Sequence, residues 1–351
     1  MINLLETPSA LNHGGNLQQA SEIYGVSMDA WLDMSTGISP WSNPVDDLPS
    51  NVWRDLPPPN DQLITAAKKC YQIDEQNVVV SPGSQLSIRL LPQLFAKSKV
   101  ALPILGYQEH ALSWKLAGHQ LCFYQNIEEL IQLIEGGKVD HVVVINPNNP
   151  SCEKTTKEKL SYISNSIKGV LLVDEAFMDF YQMASSQIPE SSFGSAISLN
   201  AENVIVVRSI GKFFGLAGLR LGFVIGLHPV LQKLQTLFQP WAINHASMLI
   251  SRQALADTQW QEQQRLKIKA GAKQLEPLLF SLCQGFQELR IENTALFCSV
   301  FAQSIDVQEL HKKLAMQGVW TRMSNLDDKQ AWLRFGLVSD MEFFKQRIKK
   351  L

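Results

Sequence analysis

The chain has 351 residues, of which 45% are hydrophobic, and its formal net charge is -2. This length and composition predict a folded protein with a large core, and the scattered charges exclude the basic surface that nucleic acid or an anionic membrane requires. No apolar run reaches the roughly 20 residues of a bilayer span, and a signal-peptide pattern is absent, so we expect a cytoplasmic protein. The five cysteines are widely spaced without a CxxC pair. The sequence therefore predicts neither a disulfide framework nor a metal site.

The chain opens with an amino-terminal arm, residues 1–42, and continues into a segment dense in proline and aspartate. This segment covers residues 43–60, with Trp53 and Leu56 embedded in it. Because proline and aspartate favour turns over regular elements, we expect a long ordered loop there.

Short β-branched runs are followed directly by polar or glycine-rich residues at four places. They cover residues 78–80, 142–145, 170–173 and 204–207. Runs that are apolar on both faces are typical of buried parallel strands. The segments 85–96 and 157–167 between them have apolar residues at helical spacing. The pattern predicts an α/β fold with a mostly parallel, doubly wound sheet, whose ligands bind beyond the carboxyl ends of the strands.

The sequence changes character after about residue 238. A helical stretch rich in glutamine and lysine covers roughly residues 245–279. Alternating apolar and polar runs follow at residues 289–291, 296–301, 319–321 and 332–335. Such alternation predicts strands with one face in water. We therefore expect a large domain over residues 43–238 and a smaller α+β domain over residues 239–351.

The most specific motif follows the fourth apolar run. Ser209 precedes Lys212 by three positions, and Arg220 comes eight positions after the lysine in a glycine-rich stretch. An amine beside a buried strand can form an imine with an aldehyde, and a guanidinium can bind a phosphate through two parallel hydrogen bonds. A structural alternative is that the Lys212 stem packs along the adjacent phenylalanines.

This motif resembles the Schiff-base motif of the fold-type I pyridoxal phosphate (PLP) enzymes, the family of aspartate aminotransferase. The resemblance implies that Lys212 carries PLP and that Lys212, Asp174 and Tyr107 are the catalytic residues. Asp174 matches the aspartate that keeps the pyridine nitrogen protonated, and Tyr107 matches the aromatic residue that stacks on the ring. The resemblance assigns further cofactor contacts to Gly83, Ser84, Gln85, Asn149, Phe177, Ser209 and Arg220.

Two of these positions depart from the family pattern. Asn149 matches the asparagine that binds the 3-oxygen of the ring, but the usual N-P-T-G reads N-P-S-C over residues 149–152. Phe177 stands where many aminotransferases have a tyrosine. Because phenylalanine cannot donate to the 3-oxygen, we expect a raised imine pKa.

The amino-terminal stretch resembles one branch of the family, the threonine-phosphate decarboxylases, whose members open with H-G-G-N and L-D-x-S-T-G-I-N-P. Here residues 13–16 read H-G-G-N and residues 32–40 read L-D-M-S-T-G-I-S-P. The resemblance implies a substrate that carries both a carboxylate and a phosphate. For the carboxylate it implies Arg322 and Arg334, with Asn149 nearby. For the phosphate we predict His13, Asn16, Thr36 and Gly37, with Arg54 as a further candidate.

The activity that the branch implies is PLP-dependent decarboxylation of L-threonine O-3-phosphate to (R)-1-amino-2-propanol O-phosphate in cobalamin biosynthesis. An aminotransferase of the histidinol-phosphate type shares every cofactor residue and stays open as an alternative. A PLP-binding regulator without catalysis is a third possibility. Family members place their active sites at a two-fold interface, which a loop such as residues 53–59 crosses, so we expect a homodimer.

Overall fold

The structure is a computed structural model, and it describes residues 13–181, 193–349 and 351. The first twelve residues of the predicted arm lie outside the described residues. The described chain divides into two compact units. The larger unit contains residues 43–149 and 153–261, and the smaller unit contains the described residues up to Ser42, Pro150–Cys152 and those from Glu262 onward.

The regular elements of the described residues are numbered in chain order. The α-helices are α1 (Leu17–Tyr24), α2 (Asn51–Arg54), α3 (Asp61–Tyr71), α4 (Ser84–Leu90), α5 (Glu109–Leu116), α6 (Ile127–Glu135), α7 (Lys157–Ser166), α8 (Val230–Phe238), α9 (His245–Ala256), α10 (Thr258–Leu282), α11 (Ser304–Met316) and α12 (Met341–Ile348). The strands are β1 (Leu32–Asp33), β2 (Asn77–Ser81), β3 (Lys99–Pro103), β4 (Gln120–Tyr124), β5 (His141–Ile145), β6 (Leu171–Asp174), β7 (Val204–Ser209), β8 (Gly222–Gly226), β9 (Arg290–Asn293), β10 (Phe297–Gln303), β11 (Val319–Trp320), β12 (Arg322–Asn325) and β13 (Gln330–Gly336).

The larger unit is built on a seven-stranded sheet of described residues with the order β2-β8-β7-β6-β5-β3-β4. Strand β8 is antiparallel to both of its neighbours, and the other pairs are parallel. The predicted α/β class with a mostly parallel sheet is therefore confirmed. Because β2, β3, β5, β6 and β7 run in the same direction, their carboxyl ends meet at one edge of the sheet.

The core of this sheet explains why the strands form where they do. Val143, Leu172 and Ile205 are buried on neighbouring strands, and Trp114 of α5 and Leu231 of α8 belong to the same cluster. The alternating residues Val142, Val173 and Val206, which point to the other face, are buried as well, as the continuous β-branched runs predict.

The smaller unit contains a four-stranded antiparallel sheet of described residues with the order β12-β13-β10-β9. A second pair is parallel, with Leu32 of β1 opposite Val319 of β11. The described part of the arm is thus joined by backbone pairing to the carboxyl-terminal part of the chain. The predicted α+β character of this part is confirmed.

Three sequence-based expectations differ from the structure. The predicted loop at 43–60 contains the short helix α2. The predicted helix 85–96 ends as an α-helix at Leu90 and continues as a 3-10 turn, because Pro92 lacks an N–H and clashes with the preceding turn. The predicted stretch 245–279 is two helices, since Asp257 Oδ1 accepts the Trp260 N–H at 2.9 Å and caps the start of α10.

The boundary between the units also differs from the expected one. The sequence places it after residue 238, whereas residues 239–261 group with the larger unit. Helix α9 packs on α3, which anchors this segment there. Across the described ranges, no helix combines the length and the apolarity that crossing a membrane would need.

Candidate active site

The turn between β2 and α4 forms a cradle closed on one side by an arginine. Gly83 has φ 76° and ψ 151°, a conformation that is essentially restricted to glycine. A Cβ added at Gly83 would lie 2.9 Å from Nη2 of Arg220, so the guanidinium lies directly on the turn. Arg220 itself has φ 50°, and its Nη1 donates to the Ala217 carbonyl at 3.0 Å. The N–H groups of Ser84 and Gln85 open α4 and have no carbonyl partner within that helix. Together with this cation they suit a phosphate dianion.

Two buried serines brace this turn. Ser87 Oγ donates to Ser81 Oγ at 2.6 Å, and Ser81 Oγ donates to the Gly83 carbonyl at 2.8 Å. Both hydroxyls are fully enclosed. The carbonyl of Gly83 is therefore fixed, and so is the direction in which the following N–H groups point.

Asp174 ends strand β6 and is buried with both oxygens in hydrogen bonds. Oδ1 accepts the Ala176 N–H at 3.0 Å, and Oδ2 lies 2.9 Å from Nε2 of His110. Because a carboxylate can only accept, Nε2 of His110 carries the proton. Nδ1 of His110 is buried and has no hydrogen-bond partner among the described residues. No role was predicted for His110, although its position three residues after Tyr107 is a signal that the sequence contains.

Tyr107 connects this carboxylate pair to the cradle. Its hydroxyl donates to Oε1 of Gln85 at 2.7 Å. Its ring meets the His110 ring edge-on, with 6.3 Å between the centroids. Gln85, Tyr107, His110 and Asp174 thus form one continuous set of contacts along the carboxyl edge of the sheet.

Lys212 follows strand β7 and lies beside the Asp174 segment. Its Nζ is 5.4 Å from the centroid of the Phe177 ring, three residues after Asp174. Phe213 and Phe214 are buried and pack against Trp260. The amine therefore lies over the ring of Phe177, and the role of Lys212 in holding the cofactor stays a prediction.

Ser209 is the last residue of β7, and Asn149 lies in the loop after β5, with β6 between these two strands in the sheet. Ser209 Oγ accepts the Gly211 N–H at 3.3 Å. Asn149 is buried in a loop held by its neighbours, since Asn146 exchanges two hydrogen bonds with Thr155 and Asn148 Nδ2 donates to the Leu105 carbonyl at 2.8 Å. The carboxyl edge of the larger unit thus gathers every predicted cofactor residue.

A buried ion cluster lies next to these residues on β6 and β7. Nη2 of Arg208 is 2.9 Å from Glu175, and its Nη1 is 2.9 Å from Asp179. Glu175 also accepts hydrogen bonds from Ser195 Oγ and from the Ala196 N–H, both at 2.6 Å. Burial raises the pKa of Glu175, and the Arg208 charge opposes that rise. The cluster holds the residues that directly follow Asp174 and precede Ser209.

In the smaller unit, the two predicted carboxylate-binding arginines lie on adjacent strands. Arg334 of β13 is 3% exposed, and its Nη2 donates to the Ser35 carbonyl at 2.6 Å. Arg322 of β12 is half-buried and lies directly opposite Arg334 in the sheet register. Ser299 of β10 lies opposite Arg334 on the other side.

Cys152, the residue that departs from the usual glycine, lies beside this strand pair. It adopts φ 63°, and its Sγ is 3.9 Å from Oγ of Ser299. Burial raises the pKa of Cys152 to about 12, so the thiol stays protonated at neutral pH.

The predicted phosphate-binding residues are divided between the two units. His13 is exposed, and Asn16 caps α1 by accepting the Gln19 N–H at 3.3 Å. A Cβ at Gly15 would be 3.8 Å from Cγ2 of Thr36, so the amino-terminal turn contacts the segment that contains Thr36 and the buried Gly37. Arg54 belongs to the larger unit, where it is exposed and pairs with Asp55 at 2.8 Å.

Comparison with known proteins gives concordant results. The family described as aminotransferase class I and II matches residues 56–345. The chain is 36% identical over 335 residues to a threonine-phosphate decarboxylase of Pseudomonas aeruginosa, with 94% of each chain covered. It is 34% identical over 335 residues to a threonine-phosphate decarboxylase of a Sinorhizobium species, with 93% of each covered. The crystal structure of histidinol-phosphate aminotransferase from Sinorhizobium meliloti in complex with pyridoxal-5'-phosphate superposes with a TM-score of 0.76 at 17% identity, covering 97% of this chain and 94% of that one.

Proposed function

Because this chain belongs to the class I and II aminotransferase family, we propose that it decarboxylates L-threonine O-3-phosphate with PLP as its cofactor. The observation that carries the proposal is the likeness to two threonine-phosphate decarboxylases, at 36% and 34% identity over nearly the whole chain. The reaction replaces the substrate carboxylate with a proton, and it yields CO₂ and (R)-1-amino-2-propanol O-phosphate. We place this product in cobalamin biosynthesis.

The residues of the larger unit fit the cofactor. The cradle of Gly83 and Arg220 suits its phosphate, and the buried Asp174 carboxylate suits a protonated ring nitrogen. Two buried polar atoms near these groups, Nδ1 of His110 and Oδ1 of Asn148, lack a hydrogen-bond partner within the described residues. When bound, PLP supplies an electron sink for the pair released as a bond at the substrate Cα breaks.

Each group of the chain then has a defined task. Asp174 is held at the end of β6 by His110 and the Ala176 N–H, so its carboxyl group has a fixed orientation. Lys212 provides the amine that holds the cofactor, and after its release this amine can move a proton. Phe177 offers an apolar surface beside that amine and no hydroxyl.

Substrate recognition falls to the smaller unit in this proposal. A planar guanidinium such as that of Arg334 fixes both the position and the rotation of a carboxylate, and Arg322 adds a second positive charge. The amino-terminal turn with Thr36 receives the phosphate, where the glycine pair allows close backbone approach.

We also propose a homodimer. Trp53 and Leu56 expose 70% and 65% of their surface, and Trp241 exposes 60%. Exposed aromatic side chains support this proposal because they are enriched at subunit interfaces relative to the rest of the protein surface. Light scattering coupled to size exclusion tests the proposal, and a monomer at micromolar concentration would contradict it.

The decisive experiment is incubation of the holoenzyme with threonine phosphate, with and without 2-oxoglutarate. We expect CO₂ and aminopropanol phosphate in equal amounts, independent of the oxoacid. Keto-acid formation that requires 2-oxoglutarate would establish an aminotransferase instead. Lys212→Ala should abolish turnover and the absorbance of lysine-bound PLP, and retention of both would remove the central assignment.

A further inference from the structure

Ser35 is a buried residue between β1 and Thr36, and its N–H, its hydroxyl and its carbonyl all form hydrogen bonds. Its N–H and its hydroxyl both donate to Oδ1 of Asp33, at 2.8 and 2.6 Å. The same hydroxyl accepts the Gly15 N–H at 2.7 Å. Its carbonyl accepts Nη2 of Arg334 at 2.6 Å. One residue therefore contacts both the amino-terminal turn and the arginine proposed for the carboxylate.

The backbone around Ser35 is packed closely on both sides. A methyl group added at Gly14 would overlap the Ser35 carbonyl oxygen and lie 2.9 Å from its carbon. On the other side, the Gly336 N–H donates to the Met34 carbonyl at 2.7 Å, and a methyl group at Gly336 would overlap the carbonyl oxygen of Thr36. Residues 34–36 are thus held between the amino-terminal turn and the end of β13.

We infer that Ser35 is a positioning residue that sets the separation between the two anion sites of the substrate. The inference rests on the proposed function and deepens it. In threonine phosphate the carboxylate and the phosphate are joined by a short carbon chain, so both bind well when the two sites are held at a matching distance. The Asp33 carboxylate fixes the rotation of the Ser35 hydroxyl, which leaves an oxygen lone pair directed at Gly15.

The test is Ser35→Ala in the PLP-loaded enzyme, in which the cofactor occupies its own phosphate cradle. Loss of the bond to Gly15 should raise the KM for threonine phosphate about five- to tenfold, the effect of roughly one net hydrogen bond. The inhibition constant of inorganic phosphate should rise by a similar factor. The absorbance of the lysine-bound cofactor should stay unchanged.

Ser21→Ala is the matched control. Ser21 lies in the same arm, and its replacement removes one partly buried hydrogen bond, since Trp31 Nε1 donates to Ser21 Oγ at 2.8 Å. Ser21 does not contact the turn or Arg334 in any described interaction. The control should lower the melting temperature comparably and leave the KM and the phosphate inhibition constant unchanged, whereas a purely structural role of Ser35 would make the two variants alike.

Asp33→Ala provides a second route if Ser35→Ala does not fold. It releases the Ser35 hydroxyl and should raise the same two constants, and the double variant should not exceed Ser35→Ala, because both changes act through one hydrogen bond. Constants for Ser35→Ala within about twofold of those for Ser21→Ala, or strictly additive effects, would overturn the inference. Failure of the proposed function would look different, because the unmodified enzyme would then release no CO₂. Phosphate-induced thermal shifts would still report on Ser35 in that case.

Discussion

Replacement of Gly83 by alanine tests the phosphate cradle directly, because the added Cβ has a defined neighbour. The backbone at φ 76° and ψ 151° is costly for any residue with a Cβ, by about 1–3 kcal/mol. The same Cβ would lie 2.9 Å from Nη2 of Arg220 and would force the guanidinium to move. A hydrogen bond to a charged group contributes about 1.5–3 kcal/mol, so losing one should raise the Kd for PLP roughly 10- to 100-fold.

The two costs can be measured separately. The backbone strain lowers the melting temperature of the apoprotein. Displacement of Arg220 raises the Kd for PLP, which is measured by titrating the apoprotein with PLP. Gly218→Ala is the control, since Gly218 lies in the same segment as Arg220, has an ordinary φ and has no atom within 4 Å of an added Cβ. It should change neither quantity. A Gly83→Ala protein that melts earlier but binds PLP with an unchanged Kd would show that Arg220 does not act on the phosphate.

Three further predictions concern buried groups. Arg208→Met leaves the buried acids Glu175 and Asp179 without their cation, so the free energy of unfolding in urea should fall by about 3–5 kcal/mol. A loss under about 1 kcal/mol would argue against a stabilising role of this ion cluster. His110→Phe removes the donor to Asp174, and kcat for decarboxylation should fall about 10- to 100-fold while PLP stays bound; an unchanged kcat would mean that this bond has no catalytic role. Burial lowers the pKa of His141 to about 4. As the pH falls, the His141 side chain takes up a proton in the unfolded chain before it does so in the folded protein. The free energy of unfolding should therefore be unaffected by His141 above about pH 6.5 and should fall by on the order of 3 kcal/mol towards pH 4. Urea unfolding of His141→Gln as a function of pH should lack this fall.

The fold could be predicted to a large extent because buried parallel strands have a distinctive composition. The four β-branched runs correspond to β2, β5, β6 and β7, with Val170 lying one residue before β6. Strands β3, β4 and β8 were not among the predicted runs, and β4 in particular is only partly buried and mixes polar with apolar side chains. The antiparallel direction of β8 was equally hidden, because direction depends on the length of the connection and not on the composition of the strand.

The site was predicted where a residue type is tied to a motif and missed where a contact depends on tertiary geometry. Asp174 ends β6 and Lys212 follows the paired strand β7, and both residues were assigned through the family motif. His110 and Ser35 could not be found in this way, since a lone histidine on a helix and a serine in a turn have many structural uses. Their partners are 64 and 299 residues away in the chain.

The chain of contacts from Gln85 through Tyr107 and His110 to Asp174 has a consequence for cofactor loading. These side chains already support one another within the protein, with a 2.7 Å bond at one end and a 2.9 Å bond at the other. Little rotamer freedom is left to lose when the heterocycle enters, so the entropic penalty of capture is small. We therefore expect these four side chains to keep their positions in the apoprotein and to accept the cofactor without rearranging.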